Sequence, residues 1–397
     1  MASILMLPPE LLAFLLSFLR GIDLSRVSLV CKRFKEAVDA DWIWQQRCKR
    51  EYGVESLNGW KSQSYRTFYT KILYHYGFIF GVWQADIEYY GGLVHVSVED
   101  GLIVANQLVP ACESNVQKPL QKKKLFSITL DDEDRVEIMC LKGHEGPHEC
   151  IIQSTGVKRN SFRATCCEPH KHRHTAGEGQ EFESWLEEEL DNVNDDLHEH
   201  IRDILQTKFE ITRPYETKCL YKKMVLPLTI QDVPIQPGLF KGTYAANGVE
   251  IVNVSYHGDK MRVTKVTGDP HIPACEITIE ADLNSQMVLT KHQQETRAQL
   301  EDLDVDDVIG GDENPELQPF IIPAGVSDRG LYYFEESKNI EQCRARYAGT
   351  GQLAAHGFQN SSSSPGHLII FDEELFGFLW LELRTLSVFS RVLYRFD

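Results

Sequence analysis

The sequence predicts an α+β protein: a small N-terminal helical bundle, then a mainly antiparallel β-barrel or sandwich carrying one long inserted helix. Three observations lead there. Apolar residues recur at helical spacing near the N-terminus; from Gly77 onward the pattern turns to alternation punctuated by glycine; and one amphipathic stripe interrupts that alternation.

The chain divides into residues 1–52, a helical linker 53–76 and a β domain 77–397. In the first part Pro8 and Pro9 sit where a first helical turn tolerates proline. Leu11, Leu12, Leu15, Leu16 and Leu19 follow at helical spacing until Gly21 stops the run. Asp23 can cap a second short helix carrying Leu24, Val27, Leu29, Val30 and Cys31, and a third begins near Asp41 with Trp42, Ile43 and Trp44. Three short helices make a bundle. Ser64 to Tyr76 reads as a further helical stretch.

In the β domain Leu93–Val98, Leu102–Ala105, Leu125–Leu130, Val249–Tyr256, Arg262–Thr267, Glu276–Glu280, His367–Phe371 and Phe376–Leu383 read as short strands. Many short strands with turn signals favour a single barrel or sandwich. Phe182, Trp185, Leu186, Leu190, Val193, Leu197, Ile201, Ile204 and Leu205 form the stripe of the long helix, with acidic residues opposite. Thr296 to Pro319 (296–319) is acidic and poor in large apolar residues, the composition of a mobile linker. Ser361–Ser364 with Pro365 and Gly366 reads as a loop tip.

Composition removes several functions. With 58 acidic against 41 basic side chains, the 397 residues carry a formal charge of −17. Such a surface repels phosphate backbones, so no nucleic-acid partner is expected. Leu11 to Leu16 is the longest clean apolar run, far below the roughly 18 residues of a membrane span, and the N-terminus lacks the features of a signal peptide. A cytoplasmic or nuclear location follows, with the ten cysteines as thiols or metal ligands; a centrosomal place is a further expectation that composition does not supply.

The first motif is Leu7-Pro8-Pro9-Glu10-Leu11-Leu12, then Asp23-Leu24, Val30-Cys31-Lys32-Arg33-Phe34, and Trp42 with Trp44. In this order and spacing the set resembles the F-box. A bundle this small is marginal alone, and apolar surface it leaves uncovered marks a binding site. The resemblance implies docking onto a Skp1-type adaptor and, through it, a cullin. Leu7, Pro8, Leu11, Leu15 and Val30 are the candidate adaptor contacts.

The second motif lies in 140–174, where Cys140, His144, His148, Cys150, Cys166, Cys167, His170, His172 and His174 gather. Zinc takes four N or S donors in a tetrahedron, and two paired segments closing on one ion would staple an irregular loop. Gly143, Gly146 and Pro147 supply a turn that folds His148 back towards Cys140. Cys140, His148, Cys166 and His172 are the preferred set, for one structural zinc per chain. Spacing leaves Cys150, Cys167 and His170 as competitors. A hydrolytic zinc would need an open position and a base, for which Glu145 and Glu149 are at hand.

The rest of the chain resembles one F-box-only family, the cyclin D receptor type numbered thirty-one. The resemblance rests on Trp83-Gln84-x-Asp86-Ile87, Tyr90-Gly91-Gly92-Leu93 and Gly143-His144-x-Gly146-Pro147-His148. It continues in Pro237-Gly238-Leu239-Phe240-Lys241-Gly242-Thr243-Tyr244, Thr267-Gly268-Asp269-Pro270-x-Ile272-Pro273-Ala274, His356-Gly357-Phe358 and Phe376-Gly377-Phe378-x-Trp380-Leu381-Glu382-Leu383. It implies a β-barrel that grips C-terminal tails of substrate proteins, and a structural zinc on a Cys-x₇-His and Cys-x₅-His arrangement, which Cys140/His148 and Cys166/His172 match. It further implies a place in cell-cycle control and the response to DNA damage. The acidic linker is shorter here than in vertebrate forms, and the N-terminal extension is missing.

Within these motifs Asp269, Lys241, Tyr244, His356 and Phe358 are the candidate degron contacts. Asp269 stands between Gly268 and Pro270, so a rigid turn aims one carboxylate. A carboxylate accepts N–H donors and would suit a peptide amide or an amidated terminus better than a free acid. The other reading is an Asx turn in which Asp269 satisfies its own backbone. The expected function is therefore a non-catalytic substrate receptor of a ubiquitin ligase, set against a zinc metallohydrolase with an F-box-like appendage and a scaffold that presents no substrate.

Overall fold

The computed structural model describes residues 4–396 apart from 111–115, 117, 157, 175–176, 190–198, 245–247, 302, 304–316 and 328–339. Among the described residues no helix is long and apolar enough to cross a membrane.

The N-terminal bundle has four helices where three were expected: α1 (Pro9–Leu16), α2 (Gly21–Val27), α3 (Lys32–Val38) and α4 (Asp41–Tyr52). The difference arises at Cys31, whose extended backbone (φ −158°, ψ 164°) breaks the second helix and starts α3. Gly21 opens α2 instead of merely ending α1. Helix α4 stops at Gly53, which takes the left-handed conformation (φ 72°) that suits glycine. Trp44 is buried and donates its indole N–H to the Val38 carbonyl (2.8 Å). The helical linker runs from Tyr65 to Tyr76 through a π turn at Tyr69–Leu73. Asp41 ties it to α4 by accepting from Ser64 Oγ and the Tyr65 and Arg66 N–H groups.

The single barrel expected from the strands proves to be two closed antiparallel barrels. The first runs β1 (Gly81–Ala85), β2 (Leu93–Glu99), β3 (Leu102–Val109), β4 (Gln121–Leu130), β5 (Val136–Cys140), β6 (His148–Ser154), β7 (Ser161–Cys166) and β8 (Lys218–Lys223), with β8 closing on β1. The second begins with β9 (Gly238–Thr243), β10 (Val249–His257), β11 (Lys260–Lys265) and β12 (Ile277–Gln286). After the two-residue strands β13 (Gln318–Pro319) and β14 (Gln342–Cys343) it resumes with β15 (Ala345–Ala355), β16 (Gln359–Ile370), β17 (Leu375–Trp380) and β18 (Thr385–Arg391), and β18 closes on β9.

Trp83, Phe126, Phe162 and Tyr221 fill the first barrel, in one continuous core with Leu12, Ile43 and Trp44 of the bundle. Phe240, Phe376, Phe378, Trp380 and Phe389 fill the second. Each such side chain contributes about 1.5–3 kcal/mol by leaving water. Gly242 is required here, since a Cβ would stand 2.0 Å from the Phe389 ring.

Ser361–Ser364 belong to β16 and not to a loop tip; the turn is one step earlier, at residues 356–358. Pro365 is tolerated because the pairing of β16 with β17 starts only at Gly366. The long inserted helix is a hairpin of two, Glu178–Glu189 and Glu199–Thr212. Phe182 meets Phe209 with ring centroids 5.5 Å apart, which a continuous helix would separate by about 40 Å. Leu190, Val193 and Leu197 lie outside the described residues, as does most of the acidic linker; its Arg297–Glu301 portion is a short helix.

The barrels are joined by backbone bonds from Gly268 N–H to the Tyr90 carbonyl (3.0 Å) and Ala274 N–H to the Tyr89 carbonyl (2.8 Å). An apolar cluster of Val82, Leu93, Leu239, Ile251 and Val266 fills the junction. The chain beyond β18 straps back onto the first barrel: Val392 joins that cluster, and the Tyr394 and Phe396 rings pack edge-on against His95.

Candidate functional site

Three places carry chemistry. The first is the outer face of the bundle. Leu12, Ala13 and Leu16 point into the core, whereas Leu11, Leu15 and Val30 are about half exposed or more and Pro8 is exposed. Leu7 is different: it packs against the core, and its carbonyl accepts from Arg33 Nη2 (2.6 Å). Phe14, Phe18 and Leu29 extend the apolar face, with the two phenylalanine rings edge to face at 5.2 Å. These three were missed, although a run that is apolar all round α1 already signalled that one side lacks a partner.

The second place is where β5, β6 and β7 end. Cys140 closes β5, His148 opens β6, Cys166 closes β7, and His172 ends the 3₁₀ turn that follows. All four side chains are buried, and their ligand atoms lie within 4.8 Å of one another. His148 Nε2 is 2.9 Å from His172 Nε2, and Cys140 Sγ is 3.6 Å from the same nitrogen. These are edges of the size a tetrahedron of about 2.0–2.3 Å bonds requires. His148 bonds through Nδ1 to the Gly146 carbonyl (2.9 Å), which turns its Nε2 inward and gives the outer-shell contact that orients a ligating imidazole.

The electrostatics agree. Burial lowers the His172 pKa to about 4, keeping the ring in the neutral form that ligates, and burial raises the Cys166 thiol. Two buried thiols become ligating thiolates only with a cation between them. Cys150 is buried alongside but outside the set, its thiol pushed up to about 12 by burial. Cys167 and His170 are exposed. The four donors are as many as a closed tetrahedral site needs, and Glu149 is exposed on the face of β6 opposite His148.

The third place is a cleft of about 1130 Å³ between the two barrels and the helical hairpin, with Tyr90, Lys142, Trp185, Leu205, Glu250 and Asp269 among its walls. Of the five candidate degron residues, Asp269 lines it. Its Oδ1 accepts from His271 N–H (2.7 Å) and Ile272 N–H (3.2 Å), and its Oδ2 from Lys265 Nζ (2.6 Å). The same ammonium lies 2.6 Å from Glu250 Oε2 and 4.2 Å from the centre of the Tyr244 ring. Burial pushes Asp269 up, but Lys265 and the N–H donors outweigh it and hold the carboxyl below its usual range. Burial pushes Glu250 up to about 8, and the Asp269 charge adds to the rise.

Tyr244 thus supports the cleft from behind. His356 and Phe358 sit in the turn beside it: the Phe358 N–H donates to the Pro270 carbonyl (3.0 Å), and the His356 ring is 6.0 Å from that of His271. Lys241 is apart from this group, buried, with its ammonium on the Lys118 carbonyl and its pKa lowered by burial to about 8. Glu250 and Lys265 were not anticipated. A charged residue in each of two alternating strands looks like ordinary surface until the register, which sets Lys265 opposite Val252, brings it within reach of Glu250.

Comparison with known proteins gives two matching family models, F-box-like over residues 4–50 and Cyclin D1 binding domain over residues 221–395. F-box only protein 31 of Mus musculus is 38% identical over 98% of this chain and 85% of its own length. The Homo sapiens protein of that name is 36% identical, over 98% and 83%. F-box only protein 31-A of Xenopus laevis is 33% identical, over 100% and 85%.

Proposed function

The chain belongs to the F-box only protein 31 family, and from that premise we propose that it is the substrate receptor of a Skp1–cullin–F-box ubiquitin ligase, binding C-terminal tails of proteins marked for degradation. Its part is to bind and hold, not to catalyse. The observation that carries the proposal is the uncovered apolar face of the bundle, larger than a solvent-facing helix needs and already separated from the core that the same helices fill.

A Skp1-type adaptor would cover Leu11, Phe14, Leu15, Phe18 and Val30, and the cullin would follow through it. Because Leu7 packs inward, the informative variant is Leu11→Ala with Leu15→Ala and Val30→Ala. Adaptor binding should weaken about a thousandfold, the worth of two interface hot spots, with an unchanged melting temperature. Adaptor that co-purifies at the native level would refute the receptor role.

Tails of substrate proteins, cyclin D1 among them, would enter the cleft between the barrels. One structural zinc on Cys140, His148, Cys166 and His172 would hold the neighbouring strands. The metallohydrolase alternative asks for an open coordination position, which four protein donors leave no room for. Reduced thiols at Cys140 and Cys166 suit the cytoplasm and nucleus.

Asp269 would meet the tail's terminal group. In Asp269→Asn the turn keeps an acceptor for its two N–H bonds, while an NH₂ group replaces one oxygen. Preference should move away from donor-bearing termini by about 1–3 kcal/mol. Titrating a cyclin D1 tail peptide, as free acid and as amide, against both proteins measures it. An equal change for the two peptide forms would leave Asp269 a turn-building residue only.

A further inference from the structure

Behind Asp269 the cleft floor holds more charge than one turn needs. Glu250 on β10, Lys265 at the end of β11 and Asp269 just beyond it are each 5% exposed or less, and one ammonium stands 2.6 Å from both carboxyl groups. Hydrogen bonding divides them unequally. Asp269 collects two backbone N–H donors besides Lys265, whereas Lys265 is the sole cation in contact with Glu250 among the described residues. Two buried carboxylates cannot both stay ionised against one lysine, and the proton goes to the one with fewer donors.

We propose that Glu250 is a specificity-determining residue of the cleft: it carries a proton at neutral pH, shares that proton with the Asp269 carboxylate beside it so that the pair presents a single negative charge to the bound tail, and releases the tail when it ionises. The inference rests on the reading of the cleft as the tail site. With Glu250 protonated, Lys265 and Asp269 cancel and the floor is neutral. Once the proton is lost, the hydrogen bond to Asp269 goes with it and a second negative charge faces the carbonyl oxygens of the tail.

The other groups around Glu250 do not imitate this. Burial pushes Tyr90 up to about 12 and Tyr244 well above its ordinary value, so both remain neutral phenols. His271 touches Asp269 Oδ1 (3.2 Å) from the half-exposed side. Lys241, one position from the β9 partner of Glu250, has a buried ammonium titrating near 8 and falls in the same window. The comparison must therefore be between the native chain and Glu250→Gln, in which Lys241 is common to both.

The first measurement needs no ligand. A carboxyl whose folded pKa lies above its unfolded value costs stability progressively as pH rises between the two, and by a constant amount beyond. The melting temperature of Glu250→Gln relative to the native chain should climb from pH 5 to about pH 8 and then level. A gap that is constant across this range overturns the assignment of the proton. The second measurement is the affinity for a cyclin D1 tail peptide, which should fall about tenfold from pH 7 to pH 9 in the native chain, as the competent fraction shrinks. It should stay level in Glu250→Gln. An equal fall in both proteins assigns the effect elsewhere and overturns the proposal. A peptide that binds at no pH overturns the tail site, and with it the gating, while the melting profile still reports where the proton sits.

Discussion

Cys166→Ser should remove one bound zinc per chain and cost more than about 4 kcal/mol, in the range where loss of a metal stands out among point substitutions. The reason lies in the seam between β5 and β6. These strands share only two residue pairs, Met139–Glu149 and Cys140–His148, where β3 and β4 share seven. A metal on Cys140 and His148 would add the cross-link that this short ladder lacks, and Cys166 and His172 would bring β7 and the following turn to the same ion. Native mass spectrometry gives the stoichiometry, and calorimetry with and without chelator gives the stability. Amide exchange should rise first in β5–β7 and leave β9–β18 protected. Retained metal with unchanged melting would rule out this ligand set. The neighbouring Cys150→Ser, outside the tetrahedron, should keep its metal.

Lys265→Met should be nearly as damaging for a different reason, since it removes a charge and not a ligand. Two buried carboxyl groups would lose their common cation, and breaking a buried pair by deleting one partner costs about 3–5 kcal/mol. The deficit should depend on pH. Without the ammonium, Asp269 joins Glu250 among the groups whose folded pKa exceeds the unfolded value, so the penalty, already present at pH 5, grows towards pH 8. Denaturation at both pH values tests this. A deficit of equal size at both would mean that Lys265 contributes packing alone. The triple change Lys265→Met, Glu250→Gln, Asp269→Asn should recover much of the loss, because neutral groups of similar shape need no counter-charge.

Much of this was legible in the sequence because the signals were local. The Cys140/His148 and Cys166/His172 spacings are short enough that a strand end and a turn bring each pair together, and those four converge. Leu11, Leu15 and Val30 were recognisable because a run apolar on every side must show one side to water. Alternation placed β2, β3, β4 and β10 well. It could not show that strands far apart in the chain close two rings instead of one, since closure depends on β8 meeting β1 and β18 meeting β9. The hairpin of helices was read as one helix because its stripe continues from Phe182 to Leu205 in the sequence without a proline or glycine to break it. The Glu250–Lys265 pair needed the register of β10 on β11, which no local pattern carries.

The closing of β8 on β1 has a consequence for where the chain can be divided. The Cyclin D1 binding domain model begins at Tyr221, yet Tyr221 is a core residue of the first barrel, paired with Ala85 and Phe162. At the other end, Val392 and Tyr394 are anchored on that same barrel. A fragment cut at the model's boundaries would take a torn strand with it and leave a raw apolar edge behind. Sequence similarity and hydrogen bonding therefore draw the module differently. The cleft, with one wall from each ring, is inherited only by a chain that keeps both, so the protein cannot be shortened to a portable cassette.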